Sequence, residues 1–212
     1  MNTTEKEISY QSTNSYSTLN SLNKKTKNVW FVCHGMGYLS RFFLKYFKQL
    51  NLDENYIIAP QAQGKYYIPP KFKHVGASWL TKENTIRETE NVLRYFDAIW
   101  ETEQIPENLN IIVLGYSQGV SVSMRWVASR QINCHQLVMM SGGIPKELTS
   151  KDFSFLKAIK VSHIYGTKDE YLNDQRITYE TGRSTELFGD KVTVIPFDGN
   201  HEVNVELINQ LV

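Results

Sequence analysis

The stretch Ile111-Ile112-Val113-Leu114-Gly115-Tyr116-Ser117-Gln118-Gly119-Val120 constrains this chain more than any other. Four apolar, mostly β-branched residues read as a buried strand, and Val120, Met124 and Val127 then keep helical spacing as far as Arg130. Between them lies Gly115-x-Ser117-x-Gly119, the pattern of the sharp strand-to-helix turn called a nucleophile elbow. Such a turn holds its central residue in a strained conformation, and side chains at the flanking positions would strike the neighbouring strand and helix. Glycine at both positions answers that demand. The turn lifts the serine hydroxyl out of the sheet and beside a helix N-terminus, where free N–H groups favour developing negative charge. An ordinary glycine-bracketed turn would show the same spacing, so the rest of the chain has to supply the partners.

Composition narrows the field. A chain of 212 residues is most simply one domain, here 1–212, with room for a substantial core. A formal charge of +1 points away from nucleic acid or any other polyanion, and Lys24, Lys25 and Lys27 read as a solvated turn. No apolar run approaches the eighteen residues of a membrane span, and residues 1–27 lack the apolar centre of a signal peptide. Cys33 and Cys134 form neither a disulfide framework nor a metal-ligand spacing. Two reduced thiols favour a cytoplasmic setting, with no metal expected.

Along the chain, strand and helix patterns alternate. Residues 1–27 predict one or two edge strands from Ile8, Tyr10, Tyr16 and Leu19. Val29–Cys33 reads as a strand covered on both faces, ending in His34-Gly35-Met36-Gly37. A helix is expected from about Ser40 to Leu50, with Phe42, Phe43, Tyr46, Phe47 and Leu50 on one face, then a strand at Tyr56–Ala59. Residues 61–80 have no period of their own and read as a long loop, the kind that is either functional or a surface excursion held by a few aromatics. Thr85-x-x-Glu88 predicts a capping box opening a helix to about Glu103, its inner face formed by Ile86, Leu93, Phe96, Ile99 and Trp100. Further strands are predicted at Gln136–Met140, Lys160–Tyr165 and Val192–Phe197. Helices are predicted from about Asp174 to Phe188, stopped by Gly189, and from His201 to near Leu211. Alternation of this kind implies a mostly parallel, twisted sheet with helices on both faces.

In open sheets of that class, reactive groups collect in loops past the carboxyl ends of strands. Three such loops carry Ser117, Asp169 and His201, in that chain order, the order of α/β-hydrolase triads. A serine hydroxyl is a weak nucleophile until an imidazole takes its proton, and a carboxylate fixes the imidazole tautomer and steadies the imidazolium. Glu170, Asp174 and Asp198 are rival acids, but only Asp169 follows a strand directly in a Gly-x-x-Asp turn. His34, His74, His135 and His163 are rival bases with poorer placement: His163 lies within a strand and His34 precedes the elbow. An oxyanion also needs donors. The backbone N–H of Gln118 is one, and the glycine-flanked loop at His34–Gly37 is the natural source of another.

The segments His34-Gly35-Met36-Gly37, Ser78-Trp79, Gly115-Tyr116-Ser117-Gln118-Gly119, Ser141-Gly142-Gly143-Ile144-Pro145, Gly166-Thr167-Lys168-Asp169 and Gly199-Asn200-His201-Glu202 occur in one order. Over roughly residues 28–211 this set resembles the phospholipase/carboxylesterase family of α/β-hydrolases, which includes acyl-protein thioesterases. The resemblance implies an α/β-hydrolase without a cap domain, a Ser117-Asp169-His201 triad, Met36 and Gln118 as oxyanion donors and Trp79 beside the acyl group. It implies no cofactor. Three departures bear on the substrate: Tyr38 where the family often has Asp, an unusual 61–78 loop, and Glu170-Tyr171-Leu172 after the acid.

The expectation is a cofactor-independent serine hydrolase acting on a small-molecule ester or thioester through an acyl-enzyme. Acyl-protein thioesterase or lysophospholipase-type activity is the nearest enzymatic alternative, and a non-catalytic binding module is the alternative from another class. Tyr66, Tyr67, Phe72 and Trp79 in the 61–80 stretch would offer a shallow aromatic wall, suited to short and medium acyl chains.

Overall fold

The apolar runs of the sequence become strands because a strand buried on both faces needs no polar side. The computed structural model describes residues 2–212. In chain order its elements are β1 (Tyr16–Leu19), β2 (Asn28–Cys33), α1 (Ser40–Phe43), β3 (Asn55–Pro60), β4 (Gly64–Tyr67), β5 (Val75–Ser78) and α2 (Thr85–Glu103). There follow β6 (Asn110–Tyr116), α3 (Gln118–Arg130), β7 (Gln136–Met140), β8 (Lys160–Gly166), α4 (Asp174–Phe188), β9 (Val192–Phe197) and α5 (Val205–Gln210). Seven strands form one sheet in the order β1-β3-β2-β6-β7-β8-β9. All neighbours are parallel except β1, which runs antiparallel to β3.

Every residue of β2, β3 and β7 is buried. Alternation along the strands divides them between two cores. Val29, Phe31, Val113, Leu137 and Met139 face one side with Phe96 of α2 and Val120, Met124 and Trp126 of α3. Trp30, Val32, Leu114, Val138 and Met140 face the other, with Phe43, Phe47 and Ile208. The period of two thus places helices on both faces, as the sequence predicts. Phe31 stacks on Trp126 at 4.2 Å between centroids, fixing α3 against the middle of the sheet. Among the described residues no helix is long and apolar enough to cross a membrane.

Several local expectations are corrected. Of the one or two edge strands expected before residue 28, one forms among the described residues, at Tyr16–Leu19, and Ile8 and Tyr10 lie exposed outside it. The expected helix over residues 40–50 is one α turn followed by a 3₁₀ turn at Leu44–Phe47. That tighter winding leaves Phe42 exposed and turns Leu44 inward. Residues 61–80 contain a hairpin, β4 antiparallel to β5, with Tyr67 opposite Val75. No capping box opens α2: the N-cap is Asn84 in a left-handed conformation at φ 48°, and the Thr85 hydroxyl bonds back to the Thr81 carbonyl. With the helix entered from that angle, Ile86 points into solvent, 91% exposed.

Two histidines have gone into the cores. His34 and His163 are both buried, and desolvation pulls each imidazole from its ordinary value down to about 4. A folded-state pKa below the unfolded one means that the unfolded chain binds more protons between the two values. Stability is therefore fully present above about pH 6.5 and declines as pH falls toward 4, by on the order of 2 kcal/mol per histidine at pH 5. Urea midpoints measured from pH 7.5 to 5 should fall accordingly, and His163→Gln should flatten the slope. A midpoint constant over that range would contradict the assignment.

Candidate active site

The elbow forms as its glycines demand. Ser117 sits between β6 and α3 at φ 52°, ψ −120°, a region that side chains rarely adopt. A Cβ on Gly115 would lie 2.5 Å from the Val120 backbone, and one on Gly119 would overlap the Cys33 carbonyl at the end of β2. The first turn of α3 is thus pressed onto the carboxyl edge of the sheet. Ser117 N–H donates to the Met140 carbonyl at 2.8 Å, which ties the elbow to β7 as well.

Three loops meet over this serine. Ser117 Oγ lies 2.9 Å from His201 Nε2, and His201 Nδ1 lies 2.7 Å from Asp169 Oδ2. With Nδ1–H donated to the carboxylate, Nε2 is the acceptor and the serine hydroxyl the donor. The second carboxylate oxygen accepts from Tyr171 N–H at 2.8 Å, so Asp169 is held from both ends in a buried position. The loops bearing Asp169 and His201 are joined by backbone bonds, Thr167 N–H to the Phe197 carbonyl and Lys168 N–H to the Gly199 carbonyl, both 2.9 Å. Tyr116, the residue before the serine, donates its hydroxyl to the His201 carbonyl at 2.9 Å. The rival acid Asp198 instead makes an exposed pair with Lys168, and Asp174 opens α4.

The loop after β2 approaches from the other side. Gly35 packs so closely that a Cβ there would lie 3.1 Å from the Ser117 Cβ. Met36 is exposed next to it, and Gly37 turns at φ 86°. The backbone N–H of Gln118 is among the first amides of α3, which have no partner within the helix.

The sequence missed what holds this loop in place. His34 is no base for Ser117: Ala62 N–H donates to its Nε2 at 3.2 Å, so its Nδ1–H donates to the Gly35 carbonyl at 2.8 Å. Trp79 Nε1–H donates to the His34 carbonyl at 2.7 Å, and the two rings lie 4.8 Å apart. Trp79, expected beside the acyl group, is only 3% exposed and packs against Phe96. Tyr66 is half-buried, its hydroxyl beside Gly37, while Tyr67 and Phe72 are exposed.

The Gln118 side chain, which the sequence marked only for its backbone, latches the hairpin. Its Oε1 accepts from Trp79 N–H at 2.8 Å, and its Nε2 donates to the Leu80 carbonyl at 2.7 Å. No periodicity signals such a bond across 39 residues. Gly76 closes the arrangement, since a Cβ there would lie 2.7 Å from the Gly37 carbonyl, while Gly37 N–H donates to Ala77 at 2.8 Å.

A parallel sheet with a strained serine after its central strand and helices on both faces is the α/β-hydrolase fold. Residues 14–211 match the phospholipase/carboxylesterase family, and the chain belongs to it. Similar solved structures include acyl-protein thioesterase 2 from Zea mays, 12% identical over 94% of this chain and 96% of that one, with a TM-score of 0.70. A phospholipase/carboxylesterase from Dyadobacter fermentans is 20% identical over 95% and 97%, with a TM-score of 0.64. Esterase PE8 is 16% identical over 93% and 97%, at 0.67. No curated protein sequence matches the chain. Among the described residues no group of His, Cys, Asp and Glu could hold a metal ion.

Replacing Gln118 by Leu keeps the bulk but strands the Trp79 N–H and leaves the Leu80 carbonyl with the Ser78 hydroxyl alone. The expected cost is about 1–3 kcal/mol of stability, with faster hydrogen exchange at the Trp79 amide. Denaturant titration and exchange measurements check this, and a variant as stable and as protected as the parent would contradict the latch.

Proposed function

We propose that the protein is a serine carboxylesterase that cleaves esters of short to medium acyl chains through an acyl-enzyme. The observation carrying this reading is the unbroken chain of contacts from Ser117 through His201 to Asp169, at 2.9 and 2.7 Å. His201 Nε2 takes the hydroxyl proton as Ser117 Oγ attacks the substrate carbonyl. The carbonyl oxygen, now negative, is received by the backbone N–H groups of Met36 and Gln118. The bond to the leaving group breaks as His201 returns the proton to it. Water then repeats the sequence on the acyl-serine, releasing the acid and restoring the serine hydroxyl. No metal or cofactor is required by these steps.

A fluorophosphonate probe should label Ser117 alone, and labelling that persists in Ser117→Ala would overturn the assignment. Asp169→Asn should leave the fold in place but offer His201 the wrong partner, lowering kcat by up to about 10⁴-fold. Full activity in that variant, with loss in Asp198→Asn, would move the role of the acid to Asp198.

The acyl group would lie along the hairpin, against Tyr66, Tyr67 and Phe72, and the exposure of Tyr67 and Phe72 favours an open wall over a tunnel. Trp79 shapes the site from behind, so truncating it would hollow the core, and Phe72→Ala is the cleaner probe of chain length. Each buried methylene is worth about 0.8 kcal/mol, or roughly fourfold in affinity. Across nitrophenyl esters of increasing length, kcat/KM should rise and then level at medium chains, with Phe72→Ala levelling sooner. A rise continuing to palmitate would favour the second reading, an acyl-protein thioesterase, which the fold of the maize protein of that name keeps in view. The buried, unpaired thiols Cys33 and Cys134 favour a cytoplasmic setting.

A further inference from the structure

A cavity of about 380 Å³ opens between the loop after β7 and the start of α4, lined by Lys146, Asn173, Gln175, Arg176 and Tyr179. Both of its walls spring from the site. Gly142, four residues before Lys146 in the loop after β7, packs directly against the Ser117 carbonyl, and Asn173, on the opposite wall, lies four residues after Asp169. A Cβ on Gly143 would lie 2.8 Å from Arg176 Nη2, which puts that guanidinium no more than about 12 Å from the Ser117 backbone, one Cα step and two contacts away.

The lining is one of donors. Arg176 is held by Glu180 at 2.5 Å, and the Glu180 side chain is almost fully buried, its other oxygen accepting Ile144 N–H at 2.8 Å. One carboxylate occupies one end of a group with five N–H donors and leaves the outward donors for a ligand. The guanidinium also lies 5.6 Å over the Tyr179 ring. It thus rests between a buried carboxylate and an aromatic face while remaining 45% exposed to an incoming group. Lys146 is exposed and forms no ion pair among the described residues, while its neighbour Glu147 is taken by Arg125 at 2.6 Å. No carboxylate is among the described residues lining the cavity. The amides opening α4 are not the attraction, since the Asn173 side chain already accepts from Arg176 N–H.

We propose that this cavity is a subsite for a carboxylate carried by the substrate, so that the ester cleaved at Ser117 is acidic at its far end. The proposal rests on the serine-esterase reading above. Arg176 grips the carboxylate with two parallel N–H bonds, and Lys146 adds a mobile positive charge. The distance limit caps the spacer between the scissile carbonyl and the acid at several methylenes. The hairpin follows β3 and the cavity follows β7 and β8, on opposite sides of β6 in the sheet order, so an acid on the alcohol side keeps the acyl chain along the hairpin and an acid on the acyl side exchanges the two.

The test compares matched esters. In one arm, nitrophenyl hemiesters of adipic and suberic acid are set against the same esters capped as methyl amides. In the other, the butyrate ester of nitrophenol is set against that of a carboxyl-substituted nitrophenol. In one arm kcat/KM should be about tenfold higher for the acidic member, as expected for charge-assisted pairing at a partly exposed site. The arm that shows it identifies whether the acid is on the acyl or the alcohol side. That ratio should collapse in Lys146→Glu, fall in Arg176→Lys, which keeps the charge and the Glu180 pair but loses the fork, and shrink with added salt. Equal rates in both arms, while neutral esters turn over and the probe labels Ser117, would overturn the subsite and leave the esterase reading standing. A preference untouched by Lys146→Glu would also overturn it. Absence of both turnover and labelling would overturn the two together.

Discussion

The carboxyl edge of this protein is organised by one close approach, that of the first turn of α3 to the end of β2. Gly119 has no room for a Cβ against the carbonyls of Cys33 and His34. Only with that gap closed does the Gln118 amide face the same space as the loop after β2. Closing it forces Ser117 to φ 52°, which the packing of Val120, Met124, Trp126 and Val127 into the core must hold in place. The strain at the serine is local, and its restraint is spread over the whole helix.

The second support is polar. A buried hydrogen bond adds little by itself, but leaving one of its partners unsatisfied is costly, so a closed network holds its members to one arrangement. The chain from Ala62 through His34, Gly35, Trp79 and Gln118 is such a network. It ties the loop after β2, the hairpin and the elbow into one body. The same logic governs the other side at Asp169, which is bonded by His201 and Tyr171, while Glu180 accepts from Ile144 N–H and lies in ion-pair contact with Arg176.

Much of this was legible in the sequence. Strands β2, β6 and β7 are largely apolar runs, β8 and β9 are short segments rich in β-branched and aromatic residues, and Ser117, Asp169 and His201 follow β6, β8 and β9. The rest depended on contacts distant in sequence. β4 and β5 are four residues each and mostly exposed or glycine-bearing, so they show no alternation, and their register comes from Gly76 against Gly37. Thr85 and Glu88 have the spacing of a capping box, but the left-handed Asn84 turns the chain so that the box cannot close. Trp79 is expected beside the acyl group from the family resemblance and from its place in the 61–80 stretch with Tyr66, Tyr67 and Phe72. Its indole N–H found the His34 carbonyl and took the ring inside.

The central claim is that Ser117 becomes covalently acylated. Intact-protein mass spectrometry after rapid mixing with nitrophenyl butyrate, with peptide mapping, tests it most directly. The account predicts one butyryl group per chain on Ser117, formed with a matching burst of nitrophenol and absent in Ser117→Ala. Steady hydrolysis with no burst and no acyl adduct under conditions that trap one, or an adduct on another residue, would contradict it.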